Sequence, residues 1–336
     1  MSFNRLETDD FVVSADSITA GLFTDSRTAT LSTFFTSSTQ TAASSGDYYL
    51  NVFSDAANNQ LEFAIAYGDK EGSGSEAFDS AVVGKSPSST NYGQYRNLVL
   101  GDENADFSFG GITASDFYAI SIDRNRYKES LFPGSLTLEL SGSDGKPVLS
   151  LTDNSQVVSS VQFNDAGRVF QLVSGSAGSV FTGVNSNGYS ENQGSYGFFL
   201  PDISTLLLNP LAISESAGIV PVAATNDNAA NYELIYNAIS GSGAANFVLN
   251  SSETITSDFI FIRPRSSQFN YSENPSFISG STGEVIYDSF VNNPQTYITT
   301  VGLYNDNSEL LAVAKLSKPL KKDFTKEALI RVKLDF

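Results

Sequence analysis

Apolar and polar positions alternate with a period of two through much of this chain. Leu61, Phe63, Ile65 and Tyr67 are separated by Glu62, Ala64 and Ala66, and Ile330, Val332, Leu334 and Phe336 by Arg331, Lys333 and Asp335. An apolar residue at every second position marks a strand with one buried and one wet face. The same reading predicts strands over 117–123, 136–140, 157–163, 168–174, 246–250 and 258–263. Residues 297–304 and 309–317 predict a hairpin over Asn305-Asp306-Asn307-Ser308, residues that tolerate left-handed backbone. Ser143-Asp144-Gly145-Lys146 reads as a second turn between strands. Helical spacing is sparse. Asp202 is placed to cap a helix over 203–208, ended by Asn209-Pro210, and residues 231–240 put Leu234, Ile235, Ala238 and Ile239 on one helical face. The segment around Thr325 reads as a loop into the last strand. The expected fold is mainly β: antiparallel β-sandwich or barrel-like modules with a few short helices and long polar loops.

Stretches rich in Gly, Ser and Asn punctuate this pattern at 36–47, 72–75, 174–179, 185–195 and 241–243. The one at 185–195 predicts a soft boundary. An N-terminal β domain then covers 1–184, and a C-terminal β-rich domain with short helices and a basic final strand covers 185–336. No regular internal repeat is evident, which argues against a β-helix or propeller. With 336 residues, 25 Phe and 15 Tyr, the chain can bury a large core. Only 17% of residues are charged, so Ser, Thr, Asn and Gly must cover much of the surface.

There is no His and no Cys. That excludes a Ser-His-Asp triad, a thiolate nucleophile, disulfides, and metal sites built on imidazole or thiolate. Carboxylates remain. Asp69 with Glu71, or Asp102 with Glu103, could be written as a glycosidase pair, but neighbouring acids in Gly-rich surroundings read as solvated loop charges. Residues 69–74 match a calcium loop only in part, with Ser80 where the closing Glu would stand. Asn226-Asp227-Asn228 and Asn305-Asp306-Asn307 are oxygen-rich but equally good turns. Residues 143–147 are no phosphate-binding loop, because Pro147 follows Lys146. No catalytic residue, cofactor or metal is expected.

The formal net charge of −18 disfavours nucleic acid and anionic membranes as partners. Its distribution is uneven. From Lys315 onward there are seven basic residues (Lys315, Lys318, Lys321, Lys322, Lys326, Arg331, Lys333) against Asp323, Glu327 and Asp335. This end is expected to dock on an acidic neighbouring subunit. Residues 1–11 have neither a basic nor an apolar targeting region, and no window is apolar enough for a membrane helix. Arg263-Pro264-Arg265, followed by Phe269 and Tyr271, sets basic beside aromatic residues, the composition of interface cores. Tyr92, Tyr95, Arg96, Tyr118, Arg124, Arg126 and Tyr127 form a second such group. The assembly-interface candidates are Arg263, Arg265, Phe269, Tyr271, Tyr304, Lys318, Lys321, Lys322, Arg331, Lys333, Tyr95, Arg96, Arg124 and Arg126.

Several segments also carry a family likeness. They include residues 269–277 (FNYSENPSF), 293–306 (NPQTYITTVGLYND), 309–319 (ELLAVAKLSKP) and 328–336 (ALIRVKLDF), with 46–49, 67–68, 72–75, 92–98, 107–111 and 123–129 upstream. In patches over most of its length the chain resembles virion structural proteins of contractile-tailed phages, especially phages of cyanobacteria. The resemblance implies a tail, baseplate or neck subunit, made in the bacterial cytoplasm, that self-associates and binds other virion proteins. Two alternatives stand beside it: a receptor-binding module for host-surface glycans, and a tail-associated glycan hydrolase.

Overall fold

The computed structural model describes residues 4–22, 34–40, 46–53, 60–74, 81, 86–181, 186–189, 192–223, 229–241, 247–272 and 274–335. Ser80 and 226–228, together with parts of the stretches at 36–47, 72–75, 185–195 and 241–243, lie outside the described residues. Among these residues the fold is mainly β, with large antiparallel sheets, a half-barrel sheet and four helices.

A short turn of 3-10 helix at Thr8–Asp10 leads into β1 (Phe11–Gly21), followed by β2 (Phe34–Gln40), β3 (Gly46–Phe53) and β4 (Leu61–Asp69). Helix α1 (Pro87–Leu100) and a small hairpin of β5 (Phe107–Phe109) and β6 (Ile112–Ala114) precede β7 (Asp116–Ile122). Next come β8 (Ser130–Leu131), β9 (Thr137–Leu140), β10 (Leu149–Asp153), β11 (Gln162–Asn164), β12 (Gly167–Ser176), β13 (Ser179–Val180), β14 (Gly197–Leu200) and β15 (Thr205–Leu208). Helices α2 (Pro210–Ala217) and α3 (Ala229–Gly241) are followed by β16 (Phe247–Val248), β17 (Asn250–Ile262), α4 (Asp288–Asn292), β18 (Thr296–Tyr304), β19 (Leu310–Lys322) and β20 (Ile330–Asp335).

These elements form two compact units, one of residues 18–253 and the other of residues 1–17 with 254–336. The divisions fall inside β1 and β17. The boundary expected at 184/185 instead falls within the larger unit, where β12 and β14 pair across it.

In the larger unit, antiparallel pairing runs in the order β16-β9-β10-β12-β14-β15-β7-β4-β3-β2. One face of this sheet carries Leu50, Val52, Phe63, Ile65, Ile120, Leu172, Leu206 and Leu208, and packs with Ile213 of α2 and with Tyr232, Ile235 and Ile239 of α3. The opposite face carries Ala66, Phe117, Ala119, Phe198, Leu200 and Leu207, and packs with Tyr92 and Val99 of α1 and with Phe107 and Phe109 of the small hairpin. Both faces of the central strands are therefore buried. That corrects the expectation of a wet face on β4, where Glu62 and Ala66 are buried along with Phe63 and Ile65.

Two other expectations change. Residues 203–208 do not form a helix, because Thr205–Leu208 is strand β15, buried on both sides between β14 and β7. Three consecutive leucines, Leu206 to Leu208, suit a fully buried strand as well as a helix. Ser204 enters at a left-handed φ of 54°, and Asp202 binds Arg168 instead of capping. Asn209-Pro210 then starts a helix, the Asn209 side chain accepting from the Leu211 amide with Pro210 in the first turn. Helix α1 was not foreseen. It is polar, opens on a reciprocal Ser86/Ser89 capping box with Pro87 beside it, and closes on left-handed Gly101. Its Asn91 amide donates to the Tyr48 and Tyr67 carbonyls at 2.7 and 2.9 Å, tying the helix to β3 and β4. Of the strand expected over 157–163, only its end pairs, within β11. The 143–146 turn stands as expected, with Asp144 and Gly145 both at positive φ between β9 and β10.

Gly197 begins β14 at φ +140°, and a Cβ there would lie 1.8 Å from the Leu207 carbonyl oxygen. Backbone cannot yield as a side-chain tip can. Gly197→Ala is expected to destabilise the larger unit by at least ~2 kcal/mol, read as a lower urea midpoint with unchanged slope.

Candidate functional site

The smaller unit holds most of the interface candidates, and its core is slight. Among the described residues, Ile260, Ile330 and Val332 form its buried apolar cluster, with partly covered Leu6, Ile298, Val301, Leu303, Ala314, Leu316 and Leu320 packed on them. β17 runs between β1 and β20, and pairs with β20 from Ser257–Asp335 to Ile262–Ile330. β18 and β19 form the predicted hairpin, closed by the Asn305 side chain accepting from the Asn307 and Glu309 amides. Among the described residues, fifteen exposed large apolar side chains lie in this unit and eleven in the larger one.

Beneath this surface lies a buried cation. Lys322 is fully buried, and its Nζ donates to the Ser266 carbonyl (3.0 Å), Asn270 Oδ1 (2.9 Å) and the Asp323 carbonyl (3.0 Å). Three ammonium protons meet three acceptors. The Asn270 amide donates in turn to Ser266, Thr296 donates to the Phe269 carbonyl, and Gln268 exchanges hydrogen bonds with Asn4. The 263–271 loop is thereby fixed from below, with Arg263, Arg265, Phe269 and Tyr271 exposed on it. Lys322, expected to reach a neighbouring subunit, is committed to its own chain.

Tyr304 and Lys318 are exposed, Lys321 is half-buried, and Arg331 and Lys333 are exposed on β20. Arg331 lies 5.4 Å from the Phe259 ring centre and Lys333 5.9 Å, and Lys333 also pairs with Asp335 at 2.8 Å. These cations stand over an aromatic on the sheet surface, where they can still meet an anionic partner.

The candidates of the larger unit do not converge. Tyr95 packs edge-on against Phe117, and its hydroxyl meets Ser121 at 2.8 Å. Arg96 lies 5.7 Å from the Tyr92 ring on the same helix. Arg124 covers Tyr127 and donates to its carbonyl. Arg126 is turned inward, paired with buried Glu62 at 2.5 Å and donating to the Leu22 carbonyl at 2.6 Å. Burial pushes the Glu62 carboxyl up to about 7 against the pull of Arg126. Tyr118 faces α3 and Tyr92 the opposite side of the sheet. Tyr95 and Arg126 are thus spent within their own unit.

A carboxylate–phenol cluster escaped the sequence reading. Asp69 opposes Asp116, and Tyr67 opposes Tyr118, across β4 and β7. The Tyr67 hydroxyl donates to Asp116 Oδ2 at 3.1 Å, while Asp69 Oδ1 accepts from the Glu71 and Ser73 amides. Burial first, and the Asp69 charge next among the raising effects, lift the Asp116 carboxyl to about 6. The Tyr118 hydroxyl is buried with no hydrogen-bond partner among the described residues, and burial pushes both phenols up. The period-two pattern places these four side chains on one face, but only the β4–β7 register brings them together. Tyr67 and Tyr118 are closed off from solvent, so the cluster offers a substrate no approach to its phenols. Asp102 accepts from the Asn104 amide in an exposed turn, as expected of a loop charge. No group of three or more acidic residues among the described residues could hold a metal ion.

Two outcomes follow. Lys322→Met removes a donor from all three acceptors and leaves Asn270 Oδ1 without one, since the Ser266 carbonyl keeps the Asn270 amide and the Asp323 carbonyl the Lys326 amide. It is expected to destabilise the smaller unit by ~1–3 kcal/mol, and Lys322→Arg should not rescue it because the planar guanidinium cannot match three converging acceptors. Differential scanning calorimetry would read both. For Asp116 the folded value lies above the unfolded one, so the folded chain takes up its proton first as pH falls from about 6 to about 4, and stability rises through that window. Asp116→Asn keeps the acceptor for Tyr67, so it should stabilise by roughly 1–2 kcal/mol at pH 7–8 and be neutral near pH 4, read from melting temperature against pH.

No family model, curated protein or solved structure matches the chain.

Proposed function

We propose that this chain is a structural subunit of a bacteriophage particle, at the tail or baseplate periphery or at the neck, and that it works by assembly with copies of itself and with other virion proteins. The observation that carries the reading is the concentration of exposed apolar side chains in the unit with the smaller core. Apolar surface of that kind, interspersed with Arg and Lys, is the composition of a protein-binding face. The hairpin and β1 also offer strand edges to a neighbour. A chain with neither imidazole nor thiol has few routes to catalysis, and the perturbed carboxyls described above are occupied by the fold. The particle itself is supplied by the resemblance of residues 269–277, 293–306, 309–319 and 328–336 to virion proteins. The acidic balance suits protein partners better than nucleic acid.

Tagged chain produced in infected host cells is expected to co-sediment with intact particles and to resist a high-salt wash. Particles of full infectivity that lack the chain, with all of it left in the soluble fraction, would overturn the reading.

A further inference from the structure

The outer face of the β18–β19 hairpin is ordered from one end to the other. From base to tip, Tyr297 stands opposite Lys321, Thr300 opposite Lys315, Gly302 opposite Val313 and Tyr304 opposite Leu310. Gly302 is covered by its neighbours: a Cβ there would lie 2.9 Å from Tyr304 Cε2 and 3.4 Å from Leu310 Cδ1. Tyr304, Leu310, Leu311 and Val313 make an apolar patch, with Leu311 68% and Val313 57% exposed. On the base side of the patch stand Lys315, Lys318 and Lys321, none within ion-pair distance of a carboxylate among the described residues. At the tip stand the exposed carboxylates of Asp306, in the turn, and of Glu309, which accepts from the Asn305 side-chain amide on the side away from Tyr304 and Leu310. The hairpin thus reads base to tip as cationic, apolar, anionic.

Such a hairpin is complementary to itself in one orientation. Packed parallel, two hairpins would set lysines against lysines and acids against acids. Packed antiparallel, each acidic tip lies over the partner's lysines and the apolar patches meet in the middle. That is the isologous arrangement a two-fold axis produces.

We propose that the outer face of the β18–β19 hairpin is a self-association surface, on which a second copy of this chain docks hairpin to hairpin, antiparallel, across a two-fold axis near Val313. The ribbon is about 30 Å long and about 10 Å wide, well short of the ~800 Å² per partner of a standard interface. The free pair therefore forms at concentrations on the order of hundreds of micromolar, and becomes lasting where many copies are held side by side. The inference rests on the assembly reading, since it names one of the partners, but the two can fail separately.

The test is analytical ultracentrifugation of the full chain from about 10 µM to about 1 mM, with two charge-reversed variants, Lys315→Glu/Lys321→Glu and Asp306→Lys/Glu309→Lys. The wild type should pass from monomer to dimer. Each variant alone should stay monomeric, because its tip and base then carry the same sign, while its melting temperature stays at the wild-type value. An equimolar mixture of the two variants should dimerise again as a mixed pair, since every tip then meets a base of opposite sign. A wild type that is monomeric throughout, a dimer indifferent to both reversals, or a mixture that fails to pair would each overturn the proposal. A dimer that obeys the charge swap in a chain absent from particles would leave this surface standing and sink the particle role. Incorporation into particles that neither variant weakens would do the reverse.

Discussion

The smaller unit is organised around one ammonium group. Lys322 Nζ is withdrawn from solvent without a carboxylate as hydrogen-bond partner, and is balanced by two main-chain carbonyls and the Asn270 side chain. A buried charge is tolerated only where its protons are all satisfied. Here that requirement fixes the 263–271 loop against the end of β19 and makes loop and strand a single support. The unit has little else to fix them with, since among the described residues its buried apolar cluster is Ile260, Ile330 and Val332. A unit held together by polar interior contacts has not used its apolar side chains inward, and they remain on the outside.

The larger unit takes the opposite course. Its central strands β15, β7 and β4 bury both faces, one against α2 and α3 and the other against α1 and the β5–β6 hairpin. Its polar interior groups tie one element to another: Asn91 joins α1 to β3 and β4, and Arg126 joins Glu62 to the Leu22 carbonyl. The acid–phenol cluster between β4 and β7 belongs to this frame. Its raised carboxyl reflects burial beside a like charge and carries no evident task.

The sequence disclosed what is local. The Asn305–Ser308 turn, the Asp144-Gly145 turn, the alternation in β20 and the periodicity of α3 all follow from neighbours a few residues apart, and each stands in the structure. What it hid is set by partners far along the chain. Leu206, Leu207 and Leu208 become a strand because β14 and β7 flank them, and Glu62 is buried because Arg126 arrives beside it. Lys322 looked like one lysine in a basic tail. Only the approach of Ser266 and Asn270, more than fifty residues upstream, separates it from Lys318 and Lys321. Helix α1 carried caps at both ends but no apolar stripe, so periodicity passed over it. The candidate surface was legible as residue types, Arg beside Phe and Tyr, while its division into internal and outward-facing members was not.

The smaller unit leaves apolar side chains uncovered, and we propose that another protein surface covers them. Hydroxyl-radical footprinting of the dilute chain against the assembled state measures this directly, residue by residue. Tyr297, Tyr304, Leu311 and Val313 should react readily when dilute and lose most of that reactivity on assembly, while exposed Phe163 of the larger unit is unchanged. Equal reactivity of the four in both states would contradict the account.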